Sequence, residues 1–221
     1  MQLLPALNAG GVERSTLEIG AALVAAGHRS VVVSAGGRQV EQLLAQGSEH
    51  VALDIGRKSV FALRHVGALR RLFADLKPDI VHARSRLPAW LAWRALRKPA
   101  ASKTHFVTTV HGLNSPGWYS AIMTRGERVI CVSNAVRDHV LRHYPHIAPA
   151  RLTVIPRGVD PTEFPFGYAP DDAWRRGFAE YFPQLAGGLL LTLPGRGTRL
   201  KGHADAIELL AGLVARGLDC K

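Results

Sequence analysis

"KPDIVHARSRLPAWLAWRALRK" (residues 77–98) holds a complete structural unit. Pro78 marks a turn. Ile80 and Val81 read as a buried strand with a polar end at His82, Arg84 and Arg86. A helical pattern follows, with Pro88 near its first turn, where a missing N–H costs least. Strand, polar end, helix is the signature of one step in a parallel sheet.

The step recurs in both directions. Upstream, "QLLPAL" is a short apolar run before the loop "NAGG". Val12 to Gly27 reads as a helix with Val12, Thr16, Ile19, Leu23 and Ala26 on its buried stripe. "SVVVS" and "HVALDI" are strands around the short helix "VEQLLAQG". Val60 to Leu76 reads as an amphipathic helix with Arg64, Arg70 and Arg71 in solvent. Downstream, "THFVTTV", "RVICVSN" and "RLTVIP" are strands, the last two separated by a helix from Ala135 to His143. Apolar strands alternating with helices predict an α/β fold with a Rossmann-like parallel sheet covered on both faces. Ligands of such sheets bind beyond the carboxyl ends of the strands, where the polar residues of this chain gather.

From Asp160 to Leu185 the texture changes to Pro, Gly and aromatic residues, with one helix over Asp171 to Tyr181. The expected organisation is a Rossmann-like domain over 1–165, a linker with a helix over 166–185, and the start of a second α/β domain over 186–221. That start contains one strand, Leu189 to Leu193, a glycine-rich loop and a helix. With no later strand beside it, this strand is an open apolar edge. Residues 186–221 are therefore expected to be poorly anchored, or to pack irregularly on the first domain.

Hydrophobic residues make up 47% of the chain, which excludes a disordered class. Lys and Arg exceed Asp and Glu by 28 − 17 = 11, so an anionic partner is expected. The cations are spread along the chain and no row of aromatics is interleaved for base stacking, which argues against nucleic acid. Cys131 and Cys220 make no disulfide framework, and Cys131 reads as a buried thiol. No apolar run reaches the roughly 18 residues of a spanning helix, and the N-terminus lacks the pattern of a signal peptide. The expectation is a cytoplasmic protein whose membrane contact is peripheral, at the inner face of the cytoplasmic membrane.

Several loops carry candidate chemistry. Gly10 and Gly11 open the first helix, where a ligand can approach the backbone and meet free N–H groups; a plain tight turn is the alternative. The G-x-G-x-x-G pattern is absent and no acidic residue ends strand two, so a nicotinamide cofactor is not expected. His82, Arg84 and Arg86 are either an exposed basic loop or a site for an anionic or hydroxylated substrate. His111, before Gly112, is either structural or points into the cleft to bond a sugar or phosphate oxygen. Ser133 and Asn134 are good helix caps. Arg157 follows the last strand and is either a site residue or a solvated loop charge. In "GRGTRLKGH", Gly195, Gly197 and Gly202 bracket Arg196, Arg199 and Lys201, a set suited to a diphosphate at a helix start. It is not a Walker loop.

In order, "GGVER", "PDIVHARS", "TVHG", "CVSNAV", "VIPRGVD" and "GRGTRLKGH" resemble the retaining nucleotide-sugar glycosyltransferases of family four, which have the GT-B fold. The nearest look is to bacterial enzymes that build lipopolysaccharide core or other envelope glycans. The resemblance implies two Rossmann-like domains around a cleft, with acceptor on the N-terminal one and donor on the C-terminal one. Gly10 and Gly11 would approach the donor diphosphate, and His111 would lie near the transferred sugar. Arg196 and Lys201 would hold the diphosphate and stabilise the leaving group. His82, Arg84, Asn134 and Arg157 are acceptor-side candidates.

No metal or cofactor is implied; the donor is a nucleoside-diphosphate sugar, UDP- or GDP-linked, and the acceptor a glycan or lipid-linked glycan. The Glu-rich motif of the family's donor domain is absent, so the resemblance implies a chain truncated in that domain. The alternative is a non-catalytic basic α/β module that binds anionic glycolipid or a partner chain.

Overall fold

The structure is a computed structural model that describes residues 1–57, 59–97, 103–195 and 197–221. The chain divides into two compact units, Met1–Gly158 and Val159–Lys221.

The first unit holds seven strands: β1 (Gln2–Leu3), β2 (Val31–Ser34), β3 (Glu49–Ala52), β4 (Ile80–Ala83), β5 (His105–Val110), β6 (Arg128–Cys131) and β7 (Leu152–Val154). The helices α1 (Gly11–Ala25), α2 (Val40–Ala45), α3 (Arg64–Leu76), α4 (Arg86–Leu96) and α5 (Asn134–His143) lie between them in sequence. The strands form one sheet in the order β3-β2-β1-β4-β5-β6-β7. Every pairing is parallel, as the alternation predicts. Numbering runs one way from β1 to β3 and the other way from β4 to β7. The reversal lies between β1 and β4, where Gln2 pairs with His82 and Leu3 with Ala83. Loops leaving two such strands diverge and open a crevice at their carboxyl ends.

Alternation of side chains sorts the core into two faces. Leu3, Val33, Val81, Phe106, Val110 and Val129 point to one face and pack with Leu69 and Phe73 of α3, Leu91 of α4 and Val136 of α5. Val32 and the loop residues Leu4 and Leu7 point to the other, under Leu17 of α1 and Leu43 of α2. Beyond β1 this second face turns polar. Gln2, His82 and Thr109 are buried there, and Arg84 follows in step with His82. Farther along the same face the strand flank Ile155 stands 50% exposed.

That polar floor explains where the predicted stripe of α1 fails. Its buried residues are Ser15, Thr16, Leu17 and Gly20, whereas Ile19 is exposed. The helix docks through small and polar groups: a Cβ on Gly20 would stand 2.7 Å from Ser48 Oγ. The helix expected from Val60 begins as a 3-10 turn over Val60–Leu63 and turns α-helical at Arg64. It buries Val66, Leu69 and Phe73 and ends on left-handed Lys77 (φ 46°), just before Pro78. Arg70, expected in solvent, is half-buried and donates to the Arg94 carbonyl.

The second unit holds α6 (Asp172–Tyr181), a 3-10 turn over Arg199–Lys201 and α7 (His203–Ala215). Asp171 caps α6 by accepting from Trp174 N–H at 2.8 Å. Trp174 and Phe178 stack one turn apart, with centroids 5.1 Å apart. The apolar run at Leu189 does have a partner. It bridges Cys220 in parallel, and the Leu189 amide donates to Asp219 O and the Lys221 amide to Leu189 O, each at 2.8 Å. The two short segments pair in parallel on either side of α7 in sequence. Leu189, Leu190, Leu191 and Leu193 nonetheless stay 44–66% exposed.

Two neighbouring glycines after β2 test how tightly the sheet edge is built. Gly36 and Gly37 both have positive φ, 90° and 140°. A Cβ on Gly36 meets nothing within 4 Å, whereas one on Gly37 would stand 2.5 Å from the Leu7 carbonyl. Gly36→Ala should cost about 1 kcal/mol of strain, and Gly37→Ala about 3 kcal/mol or more, because backbone must also move. Urea denaturation midpoints of the two variants measure the difference.

Candidate functional site

The loops after β1, β4, β5 and β7 meet at the carboxyl edge around a group of basic side chains. Its base is Arg84, 2% exposed. Its Nη1 donates to Gln2 Oε1 at 2.8 Å and its Nη2 to Ser15 Oγ. Gln2 Nε2 in turn donates to the Thr16 carbonyl at 3.0 Å, so one guanidinium joins β4, β1 and α1. Arg84 Nε is buried with no hydrogen-bond partner. Burial, aided by the charge of Arg157 and opposed by Glu18, lowers the Arg84 pKa to about 10, so it remains cationic at neutral pH. The reading of this stretch as an exposed basic loop is therefore corrected at Arg84. Alternation puts Arg84 on the face of His82 and Gln2, where it meets α1.

His82, on the same strand face, shares a 2.6 Å hydrogen bond with Thr109 Oγ1. Burial first, then the Arg84 charge, lowers its pKa to about 3, so the ring is neutral. His111, at the end of β5, meets Arg157 Nη2 at 2.6 Å through Nδ1. A guanidinium has only donors, so Nδ1 must accept and the proton must sit on Nε2. Burial and the charges of Arg84 and Arg157 hold this ring neutral too, with a pKa of about 3. His111 Nε2 is buried without a partner. It is a hydrogen-bond donor of fixed orientation awaiting an acceptor.

Arg157 completes the group. Its Nη1 donates to the Gly11 carbonyl at 2.9 Å, tying the loop after β7 to the start of α1. Its pKa is lowered by burial. It is not the freely solvated loop charge that its position alone allows. Of the two glycines, Gly10 is the demanding one: its φ is 145°, and a Cβ there would stand 2.7 Å from Glu13 Oε2. Gly11 has open space around it. No side chain caps α1, which leaves its leading N–H groups facing this edge.

The remaining candidates of the first unit make other contacts. Ser133 Oγ caps α5 by accepting from Val136 N–H, and Asn134 is the exposed first residue of that helix. Arg86 begins α4 and donates to Ser120 Oγ. Lys201 belongs to the second unit, exposed in the turn before α7. Arg196 lies outside the described residues. Among the described residues no three His, Cys, Asp or Glu side chains gather as a metal site. None of the described helices is long and apolar enough to cross a membrane. Reading the sequence missed Gln2, Ser15 and Thr109. For Gln2 and Thr109 the signal was polarity within an otherwise apolar run; Ser15, between Arg14 and Thr16, gave none.

A seven-stranded parallel sheet with a cationic, donor-rich carboxyl edge defines a Rossmann-like domain of the kind found N-terminally in GT-B glycosyltransferases. Residues 9–163 match the model of Glycosyltransferase Family 4, and the chain belongs to that family. Among solved structures it is similar to a glycosyltransferase from Rickettsia africae ESF-5, with 30% identity and a TM-score of 0.78 over 99% of this chain and 58% of that one. HepE of Anabaena, solved with UDP and glucose, has 16% identity and a TM-score of 0.74 over 96% of this chain and 57% of that one. WaaG, a glycosyltransferase involved in lipopolysaccharide biosynthesis, has 15% identity and a TM-score of 0.69 over 95% of this chain and 58% of that one. The last two likenesses are of fold. The chain spans less than three fifths of each of these structures. No curated protein matches it.

Two buried neutral imidazoles make stability depend on pH. Their folded pKa values, about 3, lie below the ordinary 6.5. The unfolded chain therefore binds more protons between those values, and stability falls as pH drops through that window. By pH 5 each histidine should have cost about 2 kcal/mol relative to neutral pH. Thermal unfolding across pH 5–7 should show this loss, and His82→Asn should remove about half of it.

Proposed function

We propose that the chain forms the acceptor side, and the beginning of the donor side, of a retaining GT-B glycosyltransferase. It moves a hexosyl group from a nucleoside-diphosphate sugar to a lipopolysaccharide-core or other envelope glycan or lipid acceptor, without a metal ion. In the reaction the bond from the anomeric carbon to the phosphate oxygen breaks, and its electron pair leaves with the nucleoside diphosphate. The acceptor hydroxyl oxygen bonds the same carbon, on the face that bond occupied, and its proton passes to the departing phosphate oxygen.

The observation that carries the reading is the His111 Nε2–H, buried, oriented by Arg157 and without a protein acceptor. A sugar hydroxyl or phosphate oxygen satisfies it. With a pKa of about 3 the ring does not serve as a proton donor at neutral pH, so His111 acts as a neutral hydrogen-bond donor that positions the sugar. Arg84, Arg157 and the start of α1 supply positive potential for a diphosphate or a phosphorylated acceptor. Gly10 and Gly11 leave the backbone open to it. Lys201 and Arg196 are proposed separately, as phosphate ligands of the donor unit. Family membership supports the transfer chemistry. The UDP and glucose in HepE support the donor class, and the role of WaaG supports the acceptor class.

Calorimetric titration with UDP, GDP and their hexose conjugates, with and without chelator, tests this. Saturable binding of one conjugate, indifferent to chelator, is expected. His111→Ala should lower affinity for the sugar conjugate roughly tenfold, the value of one buried hydrogen bond, with little effect on the bare nucleotide. No binding of any nucleotide sugar, with retained binding of a glycolipid acceptor, would favour the non-catalytic module.

A further inference from the structure

The run from Ile80 to Gly126 contains no Asp or Glu, in a chain that has 17 of them, and it contains seven Lys and Arg. Asp79 and Glu127 bound it, at the starts of β4 and β6, on the sheet edge opposite the site. The same run carries Trp90, Trp93 and Trp118, three of the four tryptophans. The fold brings them together. Trp90 and Trp93 meet edge to face at 5.8 Å, Trp118 joins Trp90 at 5.7 Å, and Trp90 Nε1 donates to the Tyr119 carbonyl at 3.1 Å.

Arginines cover these rings. Arg97 and Arg125 lie over Trp93, 4.8 and 5.6 Å from its centroid. Arg94 lies over Trp90 at 6.0 Å and Arg86 over Tyr119 at 5.2 Å. At the rim Trp118 is 78% exposed and Leu113 66% exposed.

We propose that this surface, the outer side of α4 with the loop after β5, docks the protein on an anionic lipid bilayer. Water is a poor environment for an exposed indole and an exposed leucine of one loop, whereas the bilayer interface suits an amphipathic ring. Guanidiniums stacked on indoles place charge at headgroup level above an apolar base, and each contributes to attraction by anionic lipid. No carboxylate within the run opposes that attraction. A nucleic acid fits less well. Trp90 and Trp93 stand edge-on and arginines occupy their faces, so no row of open rings remains for bases.

The loop that carries Trp118 begins at His111, and α4 begins just after Arg84, so the docking surface borders the candidate site. An acceptor held in the membrane would arrive beside it. The docking surface stands independently of the donor chemistry proposed above.

Flotation of the full chain with phosphatidylcholine vesicles, with and without phosphatidylglycerol, tests the proposal. Binding is expected only with phosphatidylglycerol, weakening as salt rises, with a blue shift in tryptophan emission. Arg94→Glu with Arg97→Glu should weaken it roughly tenfold or more. Trp118→Ser should remove most of the shift. All three side chains project from the surface, and thermal midpoints equal to the parent's would show the variants folded. Equal binding to uncharged vesicles, no vesicle binding, undiminished binding by the variants, or patch-dependent binding of single-stranded RNA in place of vesicles would each overturn it. UDP titration of the same preparations reads the donor proposal separately.

Discussion

A guanidinium is buried here without a carboxylate against it. Removing Arg84 from water is costly, and the fold meets the cost with neutral oxygens, Gln2 Oε1 and Ser15 Oγ. The rest of the edge follows from that choice. Gln2 must be a glutamine in an otherwise apolar first strand. The helix above must present serine and threonine, not leucine, so α1 docks by its small residues. The two histidines on neighbouring strands are buried beside that charge, and burial first, then the charge, keeps both neutral. Arg157 then closes the edge from the far side by bonding the Gly11 carbonyl and the His111 ring.

Much of this fold was legible because it rests on local pattern. Seven apolar runs, each followed by a polar loop, were enough for a parallel sheet, and all seven are strands of it. Helix faces were less legible. The stripe proposed for α1 assumed an oily floor, and under its first turns it meets Gln2 and Arg84. The start of α3 as a 3-10 turn follows from tertiary fit, which periodicity does not encode.

The site was legible by position and not by role. Arg84, His111 and Arg157 lay where an α/β sheet places ligand groups. That Arg84 is a buried strut, while Arg157 orients a histidine, depends on contacts between residues 46 to 146 positions apart. Thr109 and Gln2 were passed over because a lone polar residue in a strand looks like a tolerated exception. Asn134 had the right place for a ligand contact and stands exposed at a helix start. Arg94, Arg97 and Arg125 carried no signal in the sequence, and only the fold sets them over tryptophans.

The orientation of His111 has a consequence for selectivity. Arg157 can only donate, so the imidazole is locked as a donor as well, and Arg84 Nε is another. The three groups share one hydrogen-bond polarity. A group that meets the imidazole succeeds by the lone pairs that it carries: a phosphate has many, a hydroxyl must turn its oxygen inward, and an ammonium has none. Because none of the three changes charge near neutrality, any acid–base dependence of recognition there is set by the visiting molecule and not by its host.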